Sequence, residues 1–518
     1  MKKLIGISLA LSTALLAKDF VVCNNGCPYN SIQAAINDLN NSAGEYNITI
    51  KPGIYNENID INKSVNLIGD GDPKKIILTG NNQHTIIDIE TDGDGIYEKI
   101  NISNLTVKDG TTAVYINSGL GDKIKFKNVI FEENTGDSSN SGLGGAVDIY
   151  EGAPTFEKCE FDNNKAQEGG AIYLDSSYGS NININDCNFN GNIATDEGGA
   201  IYIYRAKANI NRSWFVGNSA INAGGAIYNG GNLNIKNSIF TKNTSQNSTS
   251  AISLHGSADI EFSDFVNNPA DENYSAVYVA SESDYDIVLK DNVFKNSKLW
   301  IDKDNDSNNT SANILMNNNV LDKNELNVAD NVNINNNIFI DNNTTLFVNP
   351  NNFNFSLTPN SILKDKVNEW PDTDIAGTPR PQGSKADIGA CEYPSQCKFQ
   401  DMRAVVPVYT LNNQAFIAKN VVIDVEKGWN LKSIPYYAPI KISDIIKGDE
   451  DNIRTIWFWD AQNKKWEVYS PNPEIQKILK EYKTLDMLET TDTINVGAGF
   501  WIDATEPFEI NVPVFIQN

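Results

Sequence analysis

Tyrosines recur at one position of a repeated sequence pattern and are the strongest candidates for ligand binding in this chain. They are Tyr173, Tyr202, Tyr228 and Tyr278, and Ser253 takes the position between the last two. A row of outward aromatic rings is typical of a track that binds a glycan or another protein. The alternative is a ladder in which the rings stack on one another and stabilise a sheet.

Oxygen-bearing side chains alternate in one acidic segment, which makes calcium the cofactor to consider. The segment comprises Asp302, Asp304, Asp306 and Asn308. Its spacing matches half of an EF-hand loop, but the loop glycine and the final glutamate are missing. A weaker calcium candidate comprises Asp92, Asp94 and Glu98. The alternative for both segments is a solvated turn, because Asp and Asn favour turns.

Signatures of catalysis are sparse in the sequence. The two histidines, His84 and His255, are far apart and have no motif partner that would indicate a zinc site or a Ser-His-Asp triad. Arg205 lies three residues after Tyr202 and is the one catalytic candidate that we name, for a reaction on an acidic polysaccharide. These patterns favour a protein without catalytic activity.

Six cysteines and the N-terminus indicate export. Met1-Lys2-Lys3 precedes a short apolar stretch that ends near Ala17, as in a secretory signal peptide. Close spacing predicts two disulfides, Cys23–Cys27 and Cys391–Cys397. Cys159 and Cys187 are expected to stack in adjacent turns, either as a disulfide or as buried thiols. We expect the mature chain to be secreted or held at the cell surface or outer membrane.

Two motifs repeat at a near-constant interval and determine the expected architecture. Gly-Gly-Ala followed by Ile or Val begins at Gly144, Gly169, Gly198 and Gly224. Phe-x-x-Asn begins at Phe131, Phe161, Phe189, Phe215, Phe240 and Phe265. A fixed period of this size indicates a solenoid in which each repeat is one turn. Alternating apolar residues after each Gly-Gly-Ala and around each Phe predict parallel strands with one buried face.

Three side-chain columns of this coil have distinct expected roles. The phenylalanines point inward, and the asparagines of Phe-x-x-Asn form a structural ladder of amide hydrogen bonds. The Gly-Gly pair marks a turn that needs positive φ or lies too close to a neighbour for a side chain. Residues 31–39 have helical spacing and are expected to cover the first turn.

The two motifs together resemble the polymorphic outer membrane protein repeat of bacterial surface proteins. That resemblance implies a right-handed parallel β-helix and a role in adhesion. Residues 31–57 look like the start of many pectin-lyase-like β-helices, and 372–393 resemble the choice-of-anchor segment of exported proteins. The chain departs from the larger family members because residues after Tyr393 do not read as an autotransporter barrel.

The expected organisation is therefore all-β. It comprises a signal peptide (1–17), an N-terminal cap (18–44), a parallel β-helix (45–360), a closing segment (361–399) and a Trp-rich, mostly β domain (400–518). In the last domain the tryptophans favour core packing over glycan binding.

Charge and composition exclude some classes of binding partner. The formal charge of −25 argues against nucleic acid and anionic membranes, and no apolar run after the N-terminal stretch is long enough to span a bilayer. We therefore expect adhesion or surface interaction, with a glycan or cell-surface protein as partner. The alternative is a β-helical lyase or hydrolase acting on polysaccharide, although the Arg-rich and paired-Asp patterns of pectin-degrading enzymes are missing. A third hypothesis is a passive, rigid surface component.

Overall fold

The computed structural model divides into two compact units, Met1–Lys398 and Phe399–Asn518. In the first unit it describes 20–398 apart from 40–45, 92–98, 120–122, 137–141, 176–180, 270–273, 281–284, 303–311, 324 and 342. In the second unit it describes 399, 409–411, 414–425, 427–433, 440–442, 452–460, 465–481, 488–490, 493–494, 499–506 and 508–517.

The first unit is a parallel β-helix, as the repeats predict. Sheet B contains one strand from each turn, and all of its pairings are parallel. Its strands are Ile59–Ile61, Thr85–Thr91, Thr112–Ser118, Val147–Glu151, Ile172–Asp175, Ile201–Tyr204, Ile227–Asn229, Ile252–Leu254, Val277–Val279, Leu299–Ile301 and Leu326–Asn327. Apolar side chains alternate inward along each strand, which explains the two-residue period of the sequence.

Sheet A contributes up to two strands to each turn. Its strands are Phe20–Val22, Asn47–Ile50, Gly53–Asn56, Val65–Gly69, Ile76–Thr79, Ile100–Lys108, Ile124–Glu132, Thr155–Glu157, Glu160–Asp162, Asn181–Asn185, Asn188–Asn190, Lys207–Asn211, Trp214–Val216, Asn232–Lys236, Ile239–Thr241, Ser257–Glu261, Asp264–Val266, Asp286–Lys290, Val293–Lys295, Asn313–Asn317, Val320–Asp322, Asn333–Asn335 and Ile338–Ile340. Residues with positive φ, such as Asp186, Arg212 and Asn237, separate the first arm of sheet A from its second arm. The short sheet C comprises Lys165–Ala166, Ile193–Ala194, Ser219–Ala220 and Thr244–Ser245.

The inside of the coil stacks identical side chains in successive turns. The rings of the phenylalanine column lie 4.5–5.0 Å apart between Phe131 and Phe294, close to parallel. Each of these rings is almost fully buried. The Phe-x-x-Asn motif therefore places one large apolar group per turn at the strand spacing of a sheet.

The asparagine ladder lies beside this stack and is buried. Asn192 Nδ2 donates to Asn218 Oδ1 (2.9 Å), and Asn218 Nδ2 donates to Asn243 Oδ1 (3.0 Å). Each amide also donates to a backbone carbonyl, as Asn218 Nδ2 does to Phe189 O (3.0 Å). The predicted ladder is confirmed, and its amides satisfy each other.

Both glycines of the Gly-Gly pair are required for geometry. The first glycine has positive φ, for example +68° at Gly198. A Cβ on the second, Gly199, would lie 2.0 Å from the carbonyl oxygen of Gly225 in the next turn. The turn therefore excludes a side chain at either position for two different reasons.

The N-terminal part begins the coil earlier than the sequence indicates. Phe20–Val22 already pairs in parallel with Asn47–Ile50, although we assigned 18–44 to a cap. Three residues are too short for a periodic signal, which explains the difference. The helix Ile32–Asn37 follows, with Ser31 as its N-cap, and buries Ile32, Ala35 and Ile36. A short 3-10 helix occupies Pro73–Lys75.

The part of the closing segment that belongs to the first unit (361–398) packs against the second arm of sheet A. An antiparallel pair, Phe347–Asn349 with Asn354–Leu357, precedes it, separated by the 3-10 helix Pro350–Asn352. Arg380 is buried and donates to Asp387 O (2.8 Å) and Gly389 O (2.6 Å). Ala390 N donates to the buried carboxylate of Asp264 (3.1 Å). Buried polar contacts therefore join the closing segment to the coil.

The cysteines form two disulfides and leave two thiols. Cys23–Cys27 and Cys391–Cys397 are bonded, with Cα atoms 5.6 and 6.0 Å apart. Cys159 and Cys187 are free and buried in adjacent turns. Cys159 N lies 3.4 Å from Cys187 Sγ, so the structure has the thiol stack rather than a third disulfide.

The described residues of the second unit form mostly antiparallel sheets, with one parallel pair, Lys465–Tyr469 with Leu488–Thr490, and one helix. Its strands are Tyr409–Leu411, Gln414–Val425, Gly428–Ser433, Ile440–Lys441, Ile453–Asp460, Lys465–Tyr469, Leu488–Thr490, Thr493–Ile494, Gly499–Ala504 and Phe508–Gln517. The helix is Pro473–Glu481. Trp429 and Trp501 are exposed, in contrast to the core packing that we expected. No helix among the described residues is long and apolar enough to cross a membrane.

Candidate functional site

The outward face of sheet B changes from acidic to aromatic along a single column. The strand register brings one residue per turn into line, and adjacent turns are about 4.8 Å apart. In order, the column comprises Asp60, Asp88, Tyr115, Asp148, Tyr173, Tyr202, Tyr228, Ser253, Tyr278 and Trp300. The parallel register of the coil therefore joins a carboxylate cluster to a row of aromatic rings.

An open cavity of about 380 Å³ lies at the acidic end of the column, and we call it the acidic cleft. It is lined by Asp60, Thr85, Asp88, Glu90, Thr112, Tyr115, Leu143 and Asp148. None of these described lining residues is Lys or Arg. The cleft is thus concave and negatively charged, with hydroxyl groups between its carboxylates.

Burial and neighbouring charges raise the pKa of two carboxyls in the cleft, those of Asp88 and Asp148. Partial burial, with the nearby charge of Asp175, raises the pKa of Asp148 to about 7. Burial also raises the pKa of Asp88, and the charges of Asp60 and Glu90 act in the same direction. A hydrogen bond from Asn58 Nδ2 to Asp88 Oδ2 (3.3 Å) opposes that increase. Asp148 can therefore hold a proton near neutral pH, as a general acid must.

The predicted tyrosines lie in one column and stack closely. The ring centroids of Tyr173 and Tyr202 are 5.4 Å apart, and those of Tyr202 and Tyr228 are 4.9 Å apart, with planes within 7°. Tyr173 and Tyr202 are only 9% exposed, so their faces are largely covered by the stack. The rings form a ladder, and their role in binding stays a prediction.

His255 fills the gap that Ser253 leaves in the tyrosine ladder. Its ring lies 4.9 Å from that of Tyr228 and 5.8 Å from that of Tyr278. Its Nε2 lies 3.1 Å from Ser253 Oγ. Sequence reasoning left this histidine without a partner because it comes two residues after the column position.

Carboxylates also lie around the tyrosine end of the column. Burial, Asp196 and Glu168 raise the pKa of Glu197 to about 7. Burial and neighbouring carboxylates, Glu168 first among them, raise the pKa of Tyr202. The hydroxyl of Tyr278 donates to Asp302 Oδ2 (2.7 Å). The negative potential thus continues past the cleft.

The calcium candidates are not brought together by the described part of the chain. Asp302 binds Tyr278, whereas Asp304, Asp306 and Asn308 lie outside the described residues. The weaker candidate, Asp92, Asp94 and Glu98, also lies outside them. Elsewhere among the described residues, Asp374 has metal-ligand spacing with Cys391 and Cys397, but the two sulfurs form a disulfide. Calcium binding therefore stays a prediction.

Arg205 lies apart from the residues that line the acidic cleft. Its guanidinium carbon lies 4.2 Å from the centroid of the Tyr204 ring, a cation–π contact at an exposed position. The carboxylates of the cleft were missed because no local motif contains them. Asp148 could have been found, since it aligns with the tyrosine column in the repeats.

Two family models match parts of the chain. One, described as "Right handed beta helix region", matches residues 74–240, so the coil is a right-handed β-helix. The other, described as "Pectinesterase", matches residues 19–93, a span that includes Asp60, Asp88 and Glu90. No curated protein matches the chain in sequence. The resemblance to the polymorphic outer membrane protein repeat and to the choice-of-anchor segment stays a prediction.

Three solved structures with low similarity to the chain are a pectate lyase and two pectin methylesterases. Pectate lyase Pel9A is 16% identical over 73% of this chain and 96% of its own, with a TM-score of 0.44. A pectin methylesterase mutant in complex with a hexasaccharide is 14% identical over 50% of this chain and 87% of its own, with a TM-score of 0.28. Rice weevil pectin methyl esterase is 15% identical over 47% and 81%, with a TM-score of 0.28. These scores carry no argument about activity.

Proposed function

We propose that this chain is a β-helical enzyme that hydrolyses a polysaccharide bound in the acidic cleft. The observation that carries the proposal is the placement of Asp88 and Asp148 on either side of Tyr115, both facing the cleft and both with raised pKa. The proposal favours the enzymatic alternative of the sequence analysis over adhesion.

Asp148 is the group best suited to donate a proton. Its pKa of about 7 leaves the carboxyl protonated in mildly acidic solution, where it can protonate the oxygen of a glycosidic bond. Asp88 lies two strands away, about 10 Å at the backbone. This backbone spacing is nearer to the wide carboxyl separation of inverting glycosidases than to the narrow one of retaining glycosidases, so we propose inversion of the anomeric centre.

The charge of the cleft restricts the substrate. The cleft contains four carboxylates and no described Lys or Arg, so it repels a chain of ionised uronates. A neutral glycan, or a uronate chain whose carboxyls are esterified, avoids that repulsion. The pectinesterase match over 19–93 supports methyl-esterified pectin as one substrate to test.

Binding without turnover is a second candidate function, and it corresponds to the expected role in adhesion. The continuous aromatic stack from Tyr173 to Tyr278 favours it, because Tyr228 and Tyr278 are partly exposed beyond the cleft. For either function we propose export, on the basis of the N-terminal apolar stretch and the two disulfides.

Incubation with a polysaccharide panel tests the proposal. The mature chain (18–518) is incubated from pH 4 to pH 9 with neutral glycans, methyl-esterified pectin and polygalacturonate, and reducing ends and methanol are measured. We expect new reducing ends from a neutral or esterified chain, with activity that falls above pH 7 as Asp148 loses its proton. Methanol without reducing ends would instead indicate ester hydrolysis and overturn the glycosidic mechanism.

Two variants locate the reaction. Asp148→Asn should reduce the rate at least about 100-fold, the usual contribution of a general acid. Glu151→Gln is the matched control, because Glu151 is on the same strand but does not line the cleft. Full activity of Asp148→Asn, or no product from any substrate, would contradict the proposal and leave binding as the function.

A further inference from the structure

A second cavity lies on the first arm of sheet A, away from the residues that line the acidic cleft. It has a volume of about 550 Å³, within the range of ligand-binding pockets. We call it the amide groove, because its floor includes Asn209, Asn211, Asn234 and Asn237, with Asp259 beside them. Pro371, Asp372 and Thr373 of the closing segment form part of its wall.

A ladder of side-chain amides runs along the floor of the groove. Asn209 Nδ2 donates to Asn183 Oδ1 (3.0 Å), and Asn234 Nδ2 donates to Asn209 Oδ1 (2.9 Å). Asp259 occupies the next position in the register. Because a carboxylate has no N–H group to donate, the ladder stops at Asp259. The carboxylate oxygens of Asp259 and the amide oxygen of Asn234 are then neighbouring acceptors.

Two buried acceptors in the groove have no hydrogen-bond partner among the described residues. They are Asp259 Oδ1 and Asn237 Oδ1. Asn237 is only 1% exposed, and its Nδ2 reaches Asn211 Oδ1 at 3.4 Å. Buried polar atoms are nearly always paired, so these two oxygens indicate a donor that comes from outside the chain.

The cations that line the groove are already paired. Arg212 binds Asp186 through two hydrogen bonds of 2.7 and 2.8 Å. Lys236 lies 2.8 Å from Glu261. With Asp259 and Asp372 also present, the groove contains no uncommitted positive charge among these residues, which disfavours an anionic ligand.

The wall residues of the groove are held in place by hydrogen bonds to other residues of the closing segment. Arg380 N donates to Asp372 O (2.9 Å), and Thr373 pairs with Pro379 in an antiparallel bridge. The Arg380 side chain is anchored in the buried polar core, and Cys391–Cys397 closes the segment. The groove is therefore formed before any ligand binds, which limits the entropic cost of binding.

We infer that the amide groove binds a short stretch of a neutral polysaccharide, at a site separate from the acidic cleft. Sugar hydroxyls supply the donors that Asp259 Oδ1 and Asn237 Oδ1 lack, and they accept from the amide N–H groups in return. The site would hold the polymer on the side of the coil while another part of it occupies sheet B. This inference does not depend on the hydrolytic activity.

Calorimetric titration of the full mature chain tests the inference. The probes are cellohexaose, xylohexaose, mannohexaose and maltohexaose, with hexagalacturonate as the charged comparison. We expect at least one neutral hexaose to bind and hexagalacturonate to bind at least tenfold more weakly. Absence of binding by all four neutral probes at millimolar concentration, or equal binding of hexagalacturonate, would overturn the inference.

Variants distinguish the groove from the cleft. Asp259→Asn restores a donor that continues the ladder to Asn234, so it should keep the fold and weaken binding at least fivefold. Asn234→Ala should weaken binding at least tenfold, whereas Asn232→Ala on the same strand, outside the lining residues, should not change it. Unchanged binding in both Asp259→Asn and Asn234→Ala would overturn the assignment.

Discussion

The interior columns of the coil and the outward column of sheet B use the same parallel register for opposite purposes. Inside, the amide of Asn218 accepts from Asn192 Nδ2 and donates to Asn243 Oδ1 and to the backbone oxygen of Phe189, so neighbouring turns supply its partners. Outside, burial raises the pKa of Asp148, and the like charge of nearby Asp175 raises it further. The same register therefore stabilises the fold where neighbouring groups are complementary, and it raises the pKa of a carboxyl where a like charge lies nearby.

The largest expected effect breaks the register itself. Gly199→Ala places a Cβ 2.0 Å from Gly225 O and 2.5 Å from Ser219 O, both backbone atoms of the next turn. We expect a loss of more than about 4 kcal/mol in the free energy of unfolding, or failure to fold. Urea unfolding followed by circular dichroism measures it.

Gly230→Ala is the control for that substitution. The nearest backbone oxygen to its Cβ, that of Ile203, lies 3.2 Å away, so a shift of a few tenths of an ångström accommodates the methyl group. Equal destabilisation by the two substitutions would show that close packing between turns does not explain the Gly-Gly pair.

The second effect tests how much the hydrogen bonds of the buried asparagine ladder contribute to stability. Asn218→Ala removes the partner of Asn192 Nδ2 and leaves Phe189 O and Asn243 Oδ1 with fewer donors in a buried site. We expect a loss of about 3 kcal/mol, since each abandoned buried group costs about 1–3 kcal/mol. Asn209→Ala, on the partly exposed ladder of sheet A, should cost less than about 1 kcal/mol in the same urea titration. A reversed order would contradict the contrast between buried and exposed amides.

The third effect tests how the carboxyl of Asp148, in the outward column of sheet B, makes the free energy of unfolding depend on pH. The carboxyl of Asp148 has a pKa near 4 in an unfolded chain and about 7 in the fold. Its contribution to stability is therefore complete below pH 4 and is lost as the pH rises through 7. The shift corresponds to at most about 4 kcal/mol, and to about 2 kcal/mol once partial exposure is allowed for.

Thermal unfolding of wild type and Asp148→Asn between pH 4 and pH 8 isolates this contribution. Other buried carboxyls, such as Asp264, are common to both proteins and cancel in the difference. We expect the variant to be more stable than wild type at pH 8 and to lose that advantage at pH 4. A difference that does not vary with pH would show that folding does not shift the pKa of Asp148.

The same contrast explains what the sequence could predict. Phe-x-x-Asn and Gly-Gly-Ala have a period because every turn needs the same ring, amide and glycines, so the coil and its ladders were predictable. Asp60 and Asp88 belong to early turns without either motif, and only the strand register places them beside Asp148. His255 was missed for a related reason, since it reaches the ladder from outside the aligned position.

The smallest expected effect distinguishes the ring of a ladder tyrosine from its hydroxyl. Tyr202→Phe keeps the stack on Tyr173 and Tyr228 and removes a hydroxyl that lies among Glu168 and Glu197. The free energy of unfolding should change by less than about 1 kcal/mol, because the stacking contribution is retained. Tyr202→Ala, which removes the ring, should cost about 3 kcal/mol or more. If Tyr202→Phe leaves stability unchanged but weakens binding of the polysaccharide that the cleft accepts, the column is a binding surface as well as a ladder; if both are unchanged, the tyrosines serve the fold alone.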